Sequence, residues 1–288
     1  MRLRTPFLAA LLAAACGGAA ASDRVSVMGV DRLSGALSAQ EVELPATDLS
    51  AVRGPAGMFT VNGASPDCSV RRKVNGALVA RTVRCVTLLG QYAAMERARQ
   101  FLLSAGAEAL LPAPVLADEG AAAGLHYLPA ADAFALGEGP EGARVPAGLN
   151  PGGVAREMAR RQLRGVASEE AEGIALFLGA AAAADPGYLA SSEPGGDPVG
   201  HLDLSRPLPA GAPASAVLAG ALWAWADASG DLVGASRAAL AAARALSGAA
   251  DPAAVLSLVA DQLVGAERDQ ACAVFRARLR ATGISACP

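Results

Sequence analysis

Lysine and histidine are almost missing from this chain: Lys73 is the only lysine, and His126 and His201 are the only histidines. Zinc sites draw mainly on clustered imidazole and thiolate. Neither histidine has a Cys or His partner at ligand spacing, so each reads as a satisfied or solvated side chain. The formal net charge is -3, which leaves no electrostatic footprint for nucleic acid. A G-x-S-x-G elbow, a Walker loop and a dinucleotide fingerprint are all absent. Beyond the N-terminus the longest apolar runs, Ile174 to Ala184 and Val217 to Ala226, are too short to cross a bilayer. The two tryptophans, Trp223 and Trp225, lie in the second of these runs and read as core.

What is present begins with an export signal. Arg2 and Arg4 precede an apolar run from Pro6 to Ala15, and small residues follow, so residues 1–21 read as a signal peptide. Leu12-Ala13-Ala14-Ala15-Cys16 resembles a bacterial lipobox, with Ala13 where that pattern prefers Leu; it implies lipid on Cys16 and attachment to the membrane through it. The alternative is cleavage after Ala21 at an A-x-A site, which yields a secreted protein. The expected location is extracytoplasmic, in the bacterial periplasm or on the outer membrane. Five cysteines suit this: without Cys16, four remain to pair, and Cys68 with Cys85 and Cys272 with Cys287 are the candidate disulfides.

Residues 22–90 read as β-rich, with strands at Val25 to Val30 and Met58 to Asn62. A hairpin follows in which Val70 to Val74 and Ala77 to Val83 flank an Asn75-Gly76 turn. Cys68 and Cys85 would then bridge its two strands. Helical spacing begins at Tyr92 and runs to Leu103. Short strands are expected at Val115 to Ala117 and Leu125 to Leu128, and Asp132 to Gly139 reads as a strand running into a tight glycine turn. Pro140 to Gly153 reads as loop, Val154 to Leu163 as helix, and Ser168 to Ala184 as a second helix whose first turn Ser168 caps. After a Pro- and Gly-rich stretch, four helices are expected from Ala214, Asp231, Pro252 and Glu267.

Arg156-Glu157-Met158-Ala159-Arg160 has the spacing of H-E-x-x-H, the helix motif that holds zinc on two histidines with Glu as general base. Leu125 to Gly139, this helix, Glu170-Ala171-Glu172-Gly173-Ile174-Ala175-Leu176, and Val217 to Trp223 follow one another in the order of a gluzincin (thermolysin-like or fungalysin-like) metallopeptidase. The resemblance implies an α+β fold with a β-rich N-terminal lobe carrying the active-site helices (residues 91–190) and a helical C-terminal lobe (191–288). It places Glu157 at the general-base position and Glu172 at the third zinc ligand. Arg156 and Arg160 replace both histidines, and Leu176 replaces an Asp that orients one of them. Guanidinium has no lone pair to offer a metal.

The resemblance therefore implies a zinc site that is lost, no cofactor, and a catalytically inactive pseudopeptidase that binds an unknown protein or peptide partner. An arginine paired with Glu172 in place of the metal is the expected lock. Two alternatives remain: an active hydrolase that uses Glu157 and Glu172 in a rearranged site, and a structural envelope lipoprotein. Taken alone, Arg156, Arg160 and Arg164 at four-residue spacing, with Glu157 four before Arg161, also describe a solvated helix face.

Overall fold

Alternating polar and apolar residues in Arg24-Val25-Ser26-Val27 mark a strand; both valines are buried in the core, Arg24 is exposed, and Ser26 on the other face is buried as well. It belongs to β1 (Ser22–Val30), which pairs along its full length with β2 (Leu37–Pro45). The computed structural model describes residues 22–30, 37–45, 48–117, 123–137, 147–188, 202–208, 211–246, 248–280 and 286–287. Cys16, His201 and the Glu138-Gly139 end of the expected glycine turn lie outside them.

The architecture is α+β, with two small mixed sheets and seven α-helices among the described residues. The first sheet has the order β2, β1, β6 (Leu78–Ala80), β5 (Val70–Arg72), and β6 runs parallel to β1. The second holds β3 (Arg53–Gly54), β4 (Gly57–Thr60), β7 (Pro114–Leu116), β9 (Ala133–Gly137) and β8 (Gly124–Leu128) in that order across the sheet. β4, β7 and β9 are parallel neighbours, while β8 is antiparallel to β9 and forms one edge.

Helix α1 (Val83–Ser104) packs on β1 and on the later helices. It starts nine residues before the expected Tyr92, and the second hairpin strand ends at Ala80, not Val83. Val83, Val86 and Thr87 favour a strand locally. The Thr82 side chain nevertheless accepts from the Cys85 amide at 3.3 Å and caps a helix there, and burial of Leu88 and Leu89 holds it. The disulfide expectation changes with this boundary. Cys68 and Cys85 are joined, with Cα atoms 5.4 Å apart, but the bond ties the segment before β5 to the first turn of α1 and spans no strand pair.

Helix α2 (Pro151–Gln162) takes in Gly152 and Gly153, which the sequence reading assigned to a loop. Asn150 is the reason. Its Oδ1 accepts from the Gly152 and Gly153 amides at 3.0 and 3.1 Å, and Pro151 fits the first helical position. Helix α3 (Ser168–Ala183) is capped at Ala167 without a side-chain bond, so Ser168 is its first helical residue and does not cap it. Four helices complete the chain as expected: α4 (Ala214–Ser229), α5 (Leu232–Ala245), α6 (Pro252–Asp261) and α7 (Ala266–Leu279). Trp223 and Trp225 are buried among them, and Trp225 meets Phe275 edge-on at 5.9 Å between ring centroids. The second disulfide joins Cys272 of α7 to Cys287. No described helix is long and apolar enough to cross a membrane.

Candidate functional site

Helices α2 and α3 approach each other closely because glycine stands at the contact. A Cβ on Gly152 would lie 2.3 Å from the Tyr188 ring, and one on Gly179 would lie 2.7 Å from both the Gly152 carbonyl and the Tyr188 hydroxyl. Tyr188 is 2% exposed, and its carbonyl accepts from Asn150 Nδ2 at 2.8 Å, so the segment after α3 is fastened to the cap of α2. The close approach brings the same-face residues of α2 opposite Glu172 on α3.

Four charges meet there. Arg156 Nη2 donates to Glu172 Oε1, and Arg160 Nε donates to Glu172 Oε2 at 2.7 Å. Arg160 also reaches back along its own helix, with Nη1 at 3.1 and 3.2 Å from the two Glu157 oxygens. Glu157 Oε2 accepts a further bond from the Tyr127 backbone amide at 3.0 Å, which ties α2 to edge strand β8. Both arginines thus engage Glu172, where the sequence reading expected one. Two guanidinium groups and two carboxylates sum to zero, so the cluster is closed in charge, although Arg156 Nε is buried without a hydrogen-bond partner.

Burial raises the stakes of this pairing. The side chains of Arg156 and Glu172 are each 17% exposed, Glu157 5% and Arg160 37%. Those values are far from a solvated helix face. Burial works against the Arg156 charge, but the fields of Glu172, Tyr188 and Glu157 and the Glu172 hydrogen bond outweigh it and raise its pKa. Burial also pushes the Tyr188 phenol far above its ordinary range, with the neighbouring Arg156 charge opposing.

Glu157 and Arg161, four residues apart on α2, do not pair. Arg161 turns the other way and grips Asp132 with Nε and Nη2 at 2.8 and 2.9 Å, and its Nη1 donates to the Leu111 carbonyl at 2.8 Å. Tyr127 also donates its hydroxyl to Asp132 at 3.0 Å. Arg161 therefore fixes the turn between β8 and β9, where Asp132 adopts a positive φ of 44°. The Arg161 hydrogen bonds hold the Asp132 carboxyl down at about 2, against partial desolvation.

No known family model matches this chain, and no curated protein does. The positions taken from the gluzincin resemblance divide as follows. Arg156, Glu157, Arg160 and Glu172 converge on one point, whereas Leu176 is 1% exposed and serves the core one turn further along α3. His126 stands apart on β8, its Nε2 2.7 Å from the Ala123 carbonyl. Among the described residues no three His, Cys, Asp or Glu side chains gather as a metal site. The sequence reading missed the Tyr127 amide, Asp132, Asn150 and Tyr188. Asn150-Pro151 carried a readable cap signature; the others are long-range contacts with no local signal.

Proposed function

We propose that this chain is an exported, lipid-anchored pseudopeptidase of gluzincin descent that acts as a binding or scaffold module on the bacterial envelope. One observation carries the reading: the residues standing at the two histidine positions, the general-base position and the third-ligand position come to a single point, from one helix and the helix that follows it. Three of the four lie within about one turn of α2, and the fourth, Glu172, meets them from α3, where the resemblance puts the third ligand. An antiparallel edge strand beside the first helix, joined to its Glu, supports the same descent. The two disulfides fit an oxidising compartment and so fit export.

The residues at this point do not suit a zinc ion. Only Glu157 and Glu172 have lone pairs to give, and the space between them is filled by guanidinium groups. Each carboxylate already accepts from arginine, and Glu157 from a backbone amide as well, so neither is poised to activate water. The cluster joins α2, α3 and β8 and works as a structural lock. Recognition of a protein or peptide partner then falls to the surface around it.

The purified native protein is expected to carry no stoichiometric zinc by metal analysis and to leave casein and peptides uncut, while envelope extracts yield a retained partner. One zinc per chain together with hydrolysis would reinstate the enzyme reading. Absence of any retained partner would favour the purely structural lipoprotein.

A further inference from the structure

From Cys68 to Met95 the chain carries Arg71, Arg72, Lys73, Arg81 and Arg84 and has no Asp or Glu. All five cations are exposed, and they belong to one continuous unit made of β5, its turn, β6 and the start of α1. Strand alternation sends Val70 toward the core and Arg71 to the opposite face, where Lys73 donates to Ser26 Oγ at 3.0 Å. Arg81 and Arg84 flank the N-terminal cap of α1, whose first turn has no acidic residue to offset its free amides. Opposing charges lie beside the unit: Asp67, next to Cys68, and Glu41. Glu41 lies 3.6 Å from Arg24 and 3.8 Å from Lys73, and among the described residues no ion pair engages Arg71, Arg81 or Arg84.

Two apolar side chains project from the same unit. Val74, at the turn, is 110% exposed, and Val83, between Arg81 and Arg84, is 85% exposed. Isolated exposed valines are common on any surface; here Val83 sits between Arg81 and Arg84, which make no ion pair among the described residues, and Val74 follows Arg72 and Lys73. Because β6 is parallel to β1, with Val25 opposite Leu78, the turn bearing Val74 lies beside the first residues of β1, and Arg24 donates to the Asn75 carbonyl. Cys16 precedes Ser22 by only six residues, a reach of about 20 Å at full extension.

We propose that this unit is a membrane-docking surface for anionic phospholipid, with Arg71, Arg81 and Arg84 on the headgroups and Val74 and Val83 at the interface. It rests on the lipid attachment at Cys16 proposed above, which would keep the surface within reach of the bilayer. A lipid anchor holds the chain at the bilayer, and a basic patch adds attraction to anionic headgroups.

The test uses the full chain with Cys16→Ser, so that no lipid is added. It is sedimented with vesicles of phosphatidylcholine and with vesicles of phosphatidylcholine and phosphatidylglycerol in equal parts. The anionic vesicles should retain it at least about tenfold better, and that preference should vanish in high salt and on adding Arg71→Glu, Arg81→Glu and Arg84→Glu. The segment before Ser22 is common to both proteins, so any binding it contributes cancels in the comparison. Equal retention by both vesicles, or an undiminished preference in the charge-reversed chain, would overturn the surface and leave the patch to a soluble acidic partner. Fatty-acid labelling of the native chain in intact bacteria separates the two readings. Unlabelled Cys16 with the anionic preference intact overturns the anchor alone; labelled Cys16 without that preference overturns the surface alone.

Discussion

Glu172 accepts from two guanidinium groups on one helix face, and removing its charge deprives Arg156 of its close partner and leaves both arginines to share Glu157. Desolvated charges left unpaired are the costly outcome, more so than the loss of the bonds themselves. Glu172→Gln should therefore lower stability by about 3 kcal/mol in urea titrations, against about 0.5 kcal/mol for an exposed pair such as Arg268 with Asp261. A shift as small as the exposed pair's would mean that the cluster is solvated and locks nothing. Asp132 makes a separate prediction. Its pKa is lowered from 3.8 to about 2, so its contribution is present at neutral pH and is lost as pH falls through that interval. The stability gap between the native chain and Asp132→Asn should be flat above pH 5 or so and close toward pH 2. An unchanged gap at low pH would show that the Arg161 grip does not depend on the carboxylate charge.

At the scale of the elements, glycine decides how near α2 and α3 can come. Gly152→Ala would press a methyl into the Tyr188 ring and should cost about 1 to 3 kcal/mol, read as a lowered Tm. Gly211→Ala, at a turn with nothing within 4 Å, serves as the comparison for backbone strain alone, since its φ is +81°. Helices α4 to α7 were legible from their periodicity; Asp231 and Asp251 cap α5 and α6, while α4 and α7 begin without a capping side chain. α1 was half legible, because its first two turns are built from residues that prefer strands and become helical through Thr82 and burial. β2 was not seen at all: Ser38, Gln40, Glu41 and Glu43 make it polar, and pairing with β1 supplies what its composition does not. In the cluster, the spacing of Arg156, Glu157 and Arg160 was visible, and so was Glu172. The Tyr127 amide and Tyr188 were not, since their roles come from packing between distant segments.

Across the whole molecule, two disulfides among the described residues tie a helix to a neighbouring segment, Cys85 of α1 to Cys68 and Cys272 of α7 to Cys287. Cys68 and Cys85 close a span of 17 residues and fix the start of α1 to the first sheet. Replacing both with Ser should remove about 3 kcal/mol of stability, seen as a lower Tm that reducing agent no longer moves at this site. An equal Tm with and without the bond would place the hold on α1 in Thr82 and the core instead. By the descent proposed above, Arg156, Arg160 and Glu172 stand where three zinc ligands once stood. The most direct measurement is zinc binding by Arg156→His, Arg160→His beside the native chain, followed by calorimetry and by thermal unfolding with and without the metal. The variant should bind one zinc and show a Tm that rises with zinc, because two imidazoles one helical turn apart and Glu172 complete a three-ligand set. The native chain should show neither effect. A variant that folds yet takes up no zinc, or a native chain that binds it stoichiometrically, would contradict the account.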